Sequence, residues 1–255
     1  MNHTMTDNAD TPVVLVTGAS RGIGLAIVQA FAGAGWRTAG CARTPGPALS
    51  AAADLVQGCD VSDGAAVHAL VEAVLGRFGR LDALVCNAGL AGSNPVGSED
   101  DDARWRAILA TNLDGTWHAC RAALPRLPDG HGRIVNIASV LALRGVADQP
   151  AYCAAKHGVL GLTRSLALEL ATKGVTVNAV CPGYTETDLL QDSIANIVAK
   201  TGRSEDEARA QLAAGNPQKR LVQPHEVADA VLWLCQTGSA SVTGQAISVS
   251  GGEVM

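Results

Sequence analysis

Aromatic residues are scarce, at 3% of 255 positions, with only two tyrosines and two phenylalanines. A core short of large rings must rest on Ala, Val and Leu, which suits close-packed helices and buried strands. Charge is thin as well, at 17% with a net of −5. That excludes the basic footprint of a nucleic-acid binder or of a protein drawn to an anionic membrane. No apolar run approaches a membrane span, and no signal-peptide pattern opens the sequence. There is no C-x-x-C: the seven cysteines (Cys41, Cys59, Cys86, Cys120, Cys153, Cys181, Cys235) are scattered singly. Their odd number and mostly apolar neighbours point to reduced, buried thiols and a cytoplasmic location. The six histidines show no ligand spacing, so no metal is expected. Cys153 has no indicated base and reads as packing.

What is present is a 47% hydrophobic chain in which strand and helix patterns alternate. Short apolar runs at 13–18, 37–42, 55–61, 83–89, 133–139, 176–182 and 246–252 read as strands buried on both faces. Helical patterns cover 23–34, 63–78, 99–124, about 150–172 and 225–235. Ser98 is a candidate cap for the third of these, ahead of the acidic E-D-D-D. Seven apolar strands separated mostly by helices predict one doubly wound α/β domain, a parallel sheet with helices on both faces. The polar start, residues 1–11, reads as a flexible tail before a catalytic domain at 12–255. Residues 184–223 break the rhythm with no strand pattern, yet Ser204 and Glu207 stand in capping-box spacing. A 40-residue excursion of short helices between two strands reads as a substrate lid.

Two local patterns carry chemistry. T-G-A-S-R-G-I-G (17–24) follows the first strand and opens a helix, where backbone N–H groups meet a pyrophosphate. An NAD site also carries an acid about 20 residues on, for the ribose hydroxyls. No Asp or Glu occurs here from Leu25 to Ala53. Arg43 stands beside the expected acid position and Arg21 lies inside the glycine loop. Two guanidiniums suit a 2′-phosphate, so NADP(H) is expected, with NAD(H) as the alternative. The second pattern is P-A-Y-C-A-A-K-H-G (150–158). On a helix, Tyr152 and Lys156 share a face, either as a plain exposed pair or as a phenol beside an ammonium.

The glycine loop, C-D-V (59–61), N-A-G (87–89), N-L-D-G (112–115), I-A-S (137–139), Y-C-A-A-K (152–156) and N-A-V-C-P-G-Y-T-E-T (178–187) appear in order. With the terminal V-T-G-Q-A-I-S-V-S-G-G they make the chain, over about 12–252, resemble the short-chain dehydrogenase/reductase family. The resemblance implies a Rossmann-like seven-stranded sheet and a homotetramer. It makes Tyr152 the proton donor and acceptor, and gives Lys156 the tasks of lowering the phenol pKa and holding the nicotinamide ribose. Ser139 would orient the substrate oxygen, and Asn112, in a helix irregularity, would hold a relay water. Gly18, Ser20, Arg21, Gly22, Ile23 and Gly24 would cradle the cofactor phosphates. Asp60 and Val61 would flank the adenine, and Asn87, Ala88 and Gly89 would line the groove. Pro182, Gly183, Thr185 and Thr187 would face the nicotinamide. The short stretch between Arg43 and Cys59 implies a truncated helix and an open adenine end.

Among family members the motifs are most similar to aromatic polyketide ketoreductases and β-ketoacyl thioester reductases. That implies a carbonyl or alcohol substrate, CoA- or acyl-carrier-linked, with Leu141, Leu143, Gln149 and Tyr184 bordering its pocket. Lys200, Arg203, Arg209, Lys219 and Arg220 would either meet a carrier phosphate or form a solvated lid face. The alternatives are an NAD(H)-dependent alcohol dehydrogenase and a silent dinucleotide-binding regulator.

Overall fold

The computed structural model describes residues 10–255, apart from the side chains of Leu189, Asp192, Ser193, Asn196 and Lys200. Most of the expected N-terminal tail, residues 1–9, lies outside the described residues. The chain runs β1 (Val13–Thr17), α1 (Gly22–Gly33), β2 (Arg37–Ala42), α2 (Pro47–Ala52), β3 (Leu55–Gly58), α3 (Gly64–Phe78) and β4 (Ala83–Cys86). It continues through α4 (Asp101–Leu109), a π turn at Ala110–Asp114, α5 (Gly115–Ala123), β5 (Arg133–Ile137), α6 (Pro150–Leu170) and β6 (Thr176–Pro182). Then come α7 (Asp188–Thr201), α8 (Glu205–Ala213), α9 (Pro224–Cys235) and β7 (Ala246–Val249).

All seven strands join one parallel sheet in the order β3-β2-β1-β4-β5-β6-β7. Strand alternation divides the core in two. Val13 and Leu15 of β1 pack with Val67, Leu70 and Leu166 under α3, α5 and α6. Val14 and Val16 pack on the other face with Ile27, Phe31, Leu49 and Val231, under α1, α2 and α9. Near-continuous Val, Ile and Leu in the strands follows from burial on both faces. The strand order reverses between β1 and β4, where open α/β sheets form their ligand crevice.

Several boundaries differ from the sequence reading, for a shared reason. β3, β4, β5 and β7 end early because Cys59–Val61, Asn87–Gly89, Ala138–Ser139 and Ser250–Gly252 leave the sheet to build its rim. Helix α2 has only six residues, in keeping with the truncated helix implied between Arg43 and Cys59. Ser98 does not cap α4: its hydroxyl donates back to the Pro95 carbonyl at 2.9 Å, and the helix begins at Asp101, behind Asp100. The expected single helix over 99–124 is interrupted by the π turn, which carries Asn112.

The excursion at 184–223 is pinned at its neck. Val222 N–H donates to Tyr184 O and Glu186 N–H to Val222 O, both at 2.9 Å. Its two helices share a small core of Leu190, Ile194, Ala208, Ala213 and Leu221. The Ser204–Glu207 capping box is formed.

Candidate active site

The strand ends open into one groove of about 1120 Å³, running from the β2 and β3 ends, across β1 and β4, to α7 and the C-terminal turn. At one end lies the glycine loop. Gly18 has φ +64°, and a Cβ there would stand 2.6 Å from Ala88 Cα. Gly24 has no room for a Cβ either, against the Asn87 amide and Gly18 O. Asn87 fixes the loop, donating from its Nδ2 to the carbonyls of Thr17 (3.0 Å) and Gly18 (2.8 Å). Helix α1 carries no side-chain cap and no acid in its first turn. Its first N–H groups are therefore free to meet an anion, and the dipole adds to the attraction. A dinucleotide pyrophosphate fits that cradle.

Arg43, Asp60 and Val61 border the groove beyond the loop. The Asp60 carboxyl is held below its ordinary range chiefly by hydrogen bonds from Ser62, with Arg43 contributing. Arg21 reaches instead toward Asp188 at the start of α7, at 3.8 Å with both side chains mostly exposed. Such a pair is worth less than about 1 kcal/mol, so Arg21 is held only loosely.

Midway along the groove stand Ser139, Tyr152 and Lys156. Tyr152 and Lys156 occupy one face of α6, whose other buried positions are mostly small or aliphatic (Ala151, Ala155, Val159). Lys156 is buried, its Nζ donating to the Ile137 carbonyl at 2.7 Å and lying 5.7 Å from the Tyr152 ring centre. Burial lowers its pKa from the ordinary 10.5 to about 8. Burial likewise pushes the Tyr152 phenol up to about 12, opposed by a hydrogen bond shared with Ser139. Ser139 Oγ accepts the Leu141 N–H at 3.1 Å, which leaves its own proton free to donate. Two ordinary side chains thus acquire opposite shifts from one cause. The ammonium is brought nearer to proton exchange at neutral pH, while the phenol is moved away from it, against the lowering by Lys156 that the resemblance implied, because burial outweighs the neighbouring ammonium in the free protein.

The start of α6 is held from a distance. Asn94, buried in the β4–α4 loop, accepts the Ala151 N–H at 3.3 Å, and its own N–H donates to Asp148 O at 2.8 Å. Asp148 takes φ +64°, so the chain turns sharply just before α6. Asn112 lies fully buried beneath the groove. Its carboxamide clamps both backbone groups of Leu90, accepting at 2.7 Å and donating at 2.8 Å.

A family model described as enoyl-(acyl carrier protein) reductase matches residues 18–253. The chain belongs to the short-chain dehydrogenase/reductase family. It is 40% identical over 254 residues to a Streptomyces coelicolor protein named as a ketoacyl reductase, spanning 95% of this chain and 97% of the relative. It is 35% identical to the 3-oxoacyl-[acyl-carrier-protein] reductase FabG of Escherichia coli, over 97% of this chain and 99% of the relative. A variant of actinorhodin polyketide ketoreductase, crystallised with NADPH, superposes with a TM-score of 0.89. That match has 39% identity and covers 96% of this chain and 98% of the other. The protein is accordingly an oxidoreductase with the Rossmann-like fold of this family.

Most residues singled out from the sequence meet at this groove. Ser20, Gly22, Ile23, Gly89, Leu141, Gln149, Pro182, Gly183, Tyr184, Thr185 and Thr187 all line it beside those already described. Leu143 does not. It follows the turn that aims Leu141 inward and is 40% exposed, outside the groove wall. The cationic lid residues are largely committed within the protein. Arg209 pairs with Glu186 at 2.5 Å and Arg220 with Glu226 at 2.6 Å. Lys219 Nζ donates to the Ala214 carbonyl at 2.9 Å and Arg203 to Gln211, while the Lys200 side chain lies outside the described residues. Two features of the site escaped the sequence reading. One is Asn94, buried behind the groove wall, which has no local signature. The other is Glu253, brought in by the terminal turn that follows β7. Among the described residues no helix is long and apolar enough to cross a membrane, and no cluster of ligating side chains suits a metal.

Proposed function

We propose that this protein is a cytoplasmic, homotetrameric NADPH-dependent reductase that converts a ketone, β to a thioester or polyketide-like, into a secondary alcohol. The observation that carries the reading is a half-buried Tyr152 between buried Ser139 and Lys156, sharing one groove with an uncapped α1 N-terminus. The cofactor, held by the glycine loop, Asn87 and Arg43, would supply the hydride. Ser139 donates a hydrogen bond to the ketone oxygen and fixes it beside Tyr152. Tyr152, protonated at neutral pH and beside Ser139, would give its proton to the alkoxide that hydride addition leaves. The Lys156 ammonium then offsets the phenolate charge left behind. Asn112 positions the loop carrying Leu90 and, in the π turn, would hold the relay water. Helices α7 and α8 would close over the substrate as a lid, presenting Leu190, Ile197 and Leu212 to it.

Support for NADPH comes from Arg43 at the adenine end and from the NADPH-bound structural relative. The names of the ketoacyl relatives support the substrate class. The partnered lid cations give no support for a carrier-docking patch, so the thioester's carrier is not selected there. One observation favours NAD(H): Arg21 leans toward Asp188 rather than toward the adenine end. NADPH oxidation with acetoacetyl-CoA, run beside NADH, decides between them. Turnover with an NADPH preference is expected. An NADH preference would reverse the cofactor assignment, and binding of either without turnover on any carbonyl or alcohol would leave only a dinucleotide-binding regulator.

A further inference from the structure

The substrate end of the groove contains a charged pair that the proton chemistry does not use. After β7 the chain turns through Gly251 (φ +61°) and Gly252 (φ +91°), which sends Glu253 back into the groove wall. The turn is seated on Asn216, packed against Gly251 too closely for a Cβ. Asn216 is itself fixed by bonds with Gln218 N and Arg220 O, both at 2.8 Å. Glu253 is therefore held by backbone rather than by chance. Its side chain is 5% exposed, and its Oε1 pairs with Arg144, which comes from the opposite side, just after β5. Its Oε2 lies beside Gly183, 2.9 Å from where a Cβ there would stand. The charge is felt nearby: the Tyr184 phenol is raised by burial first and by Glu253 next.

A carboxylate with one oxygen neutralised by a guanidinium can accept at the other, and whatever fills the groove must donate to that oxygen or leave it unmet. Water does so in the free enzyme, and a substrate hydroxyl can do so when water is expelled. An aliphatic acyl chain cannot. We infer that Glu253, held by Arg144, is a specificity-determining residue that accepts a hydrogen bond from a hydroxyl on the ketone substrate, remote from the reacting carbonyl. The preferred substrate is then a hydroxylated ketone rather than a plain alkyl one. This rests on the reductase reading above and narrows its substrate class.

The test compares α-tetralone with its ring-hydroxylated analogues, as kcat/KM for NADPH-driven reduction. The unmodified enzyme is expected to favour at least one hydroxylated ketone by about tenfold or more, the range of a charge-assisted hydrogen bond. In Glu253→Met that ratio should fall to about two or less, mainly through KM of the hydroxylated ketone, with NADPH binding by fluorescence unchanged. Glu253→Gln, which keeps shape and an acceptor oxygen, should retain part of the ratio and serves if the Met variant does not fold. Equal efficiencies in the unmodified enzyme, or a ratio unchanged in the variants, would overturn the inference while leaving the reductase reading intact. No reduction of any ketone would overturn that reading and the inference with it.

Discussion

Tyr152 and Lys156 are shifted in opposite directions because burial disfavours whichever form is charged. Removing the phenolic hydroxyl leaves the ring and the cofactor cradle in place. Tyr152→Phe should therefore bind NADPH as before, while turnover falls by about 10²–10⁴. Unchanged turnover would sink the proposed acid. Lys156 makes a second, thermodynamic prediction. Its folded pKa, about 8, lies below the ordinary 10.5. Below pH 8 the folded protein must hold a buried charge, and between 8 and 10.5 the unfolded chain binds more protons, so stability rises with pH across that window. The cost at neutral pH is on the order of 3 kcal/mol, offset by about 1 from the hydrogen bond to Ile137 O. Lys156→Met should then lose activity yet gain about 5 °C in Tm at pH 7, a gain that shrinks toward pH 10.5. A melting series over that range checks it. In the free enzyme, kcat/KM for reduction should likewise decline above about pH 8 as the ammonium is lost.

Elements were legible in the sequence to the extent that their cause was local. β2 and β6 fall where their apolar runs do, and α1 lies within a residue of its expected span, because burial on both faces and a 3.6-residue period leave marks in consecutive residues. The Ser204–Glu207 box was legible for the same reason. Ser98 misled because a serine before an acidic run can cap a helix or close a turn onto Pro95, and only the backbone path decides. The clamp on the start of α6 left no such mark. Asn94 meets Ala151 across 57 positions, and Glu253 meets Arg144 across 109. The tyrosine and lysine were thus readable, but not what aims them. Asn94→Ala tests that aim. It leaves the Ala151 N–H buried without its acceptor, at a cost of about 1–3 kcal/mol, and loosens the turn that precedes Tyr152. We expect kcat to fall about tenfold or more with NADPH affinity unchanged, and faster hydrogen exchange confined to the first turn of α6 and the β4–α4 loop. A uniform rise in exchange would instead mark Asn94 as a general stabiliser.

On the scale of the whole molecule the sheet satisfies itself and some helices do not. Both sheet faces are covered, yet Trp117 on α5 is 43% exposed and Leu168 on α6 is 81% exposed, with Trp105 on α4 also outward. In a chain with only four tryptophans, spending two on exposed positions along neighbouring helices is costly unless a surface covers them. α5 and α6 lie over the same face of the sheet and α4 packs against α6, so the three helices present these side chains on one side of the molecule. The proposed homotetramer would cover them with a second copy of the chain, through two such contacts. Light scattering should give a mass near four times that of one chain. Trp117→Glu should shift it to a smaller species, because a carboxylate buried between copies goes unpaired. The variant's Tm should then depend on protein concentration more steeply than that of the unmodified protein, since folding and association share one equilibrium. A monomer of unchanged stability in both proteins would show that the exposed tryptophans face water, and the homotetramer would fall with that result.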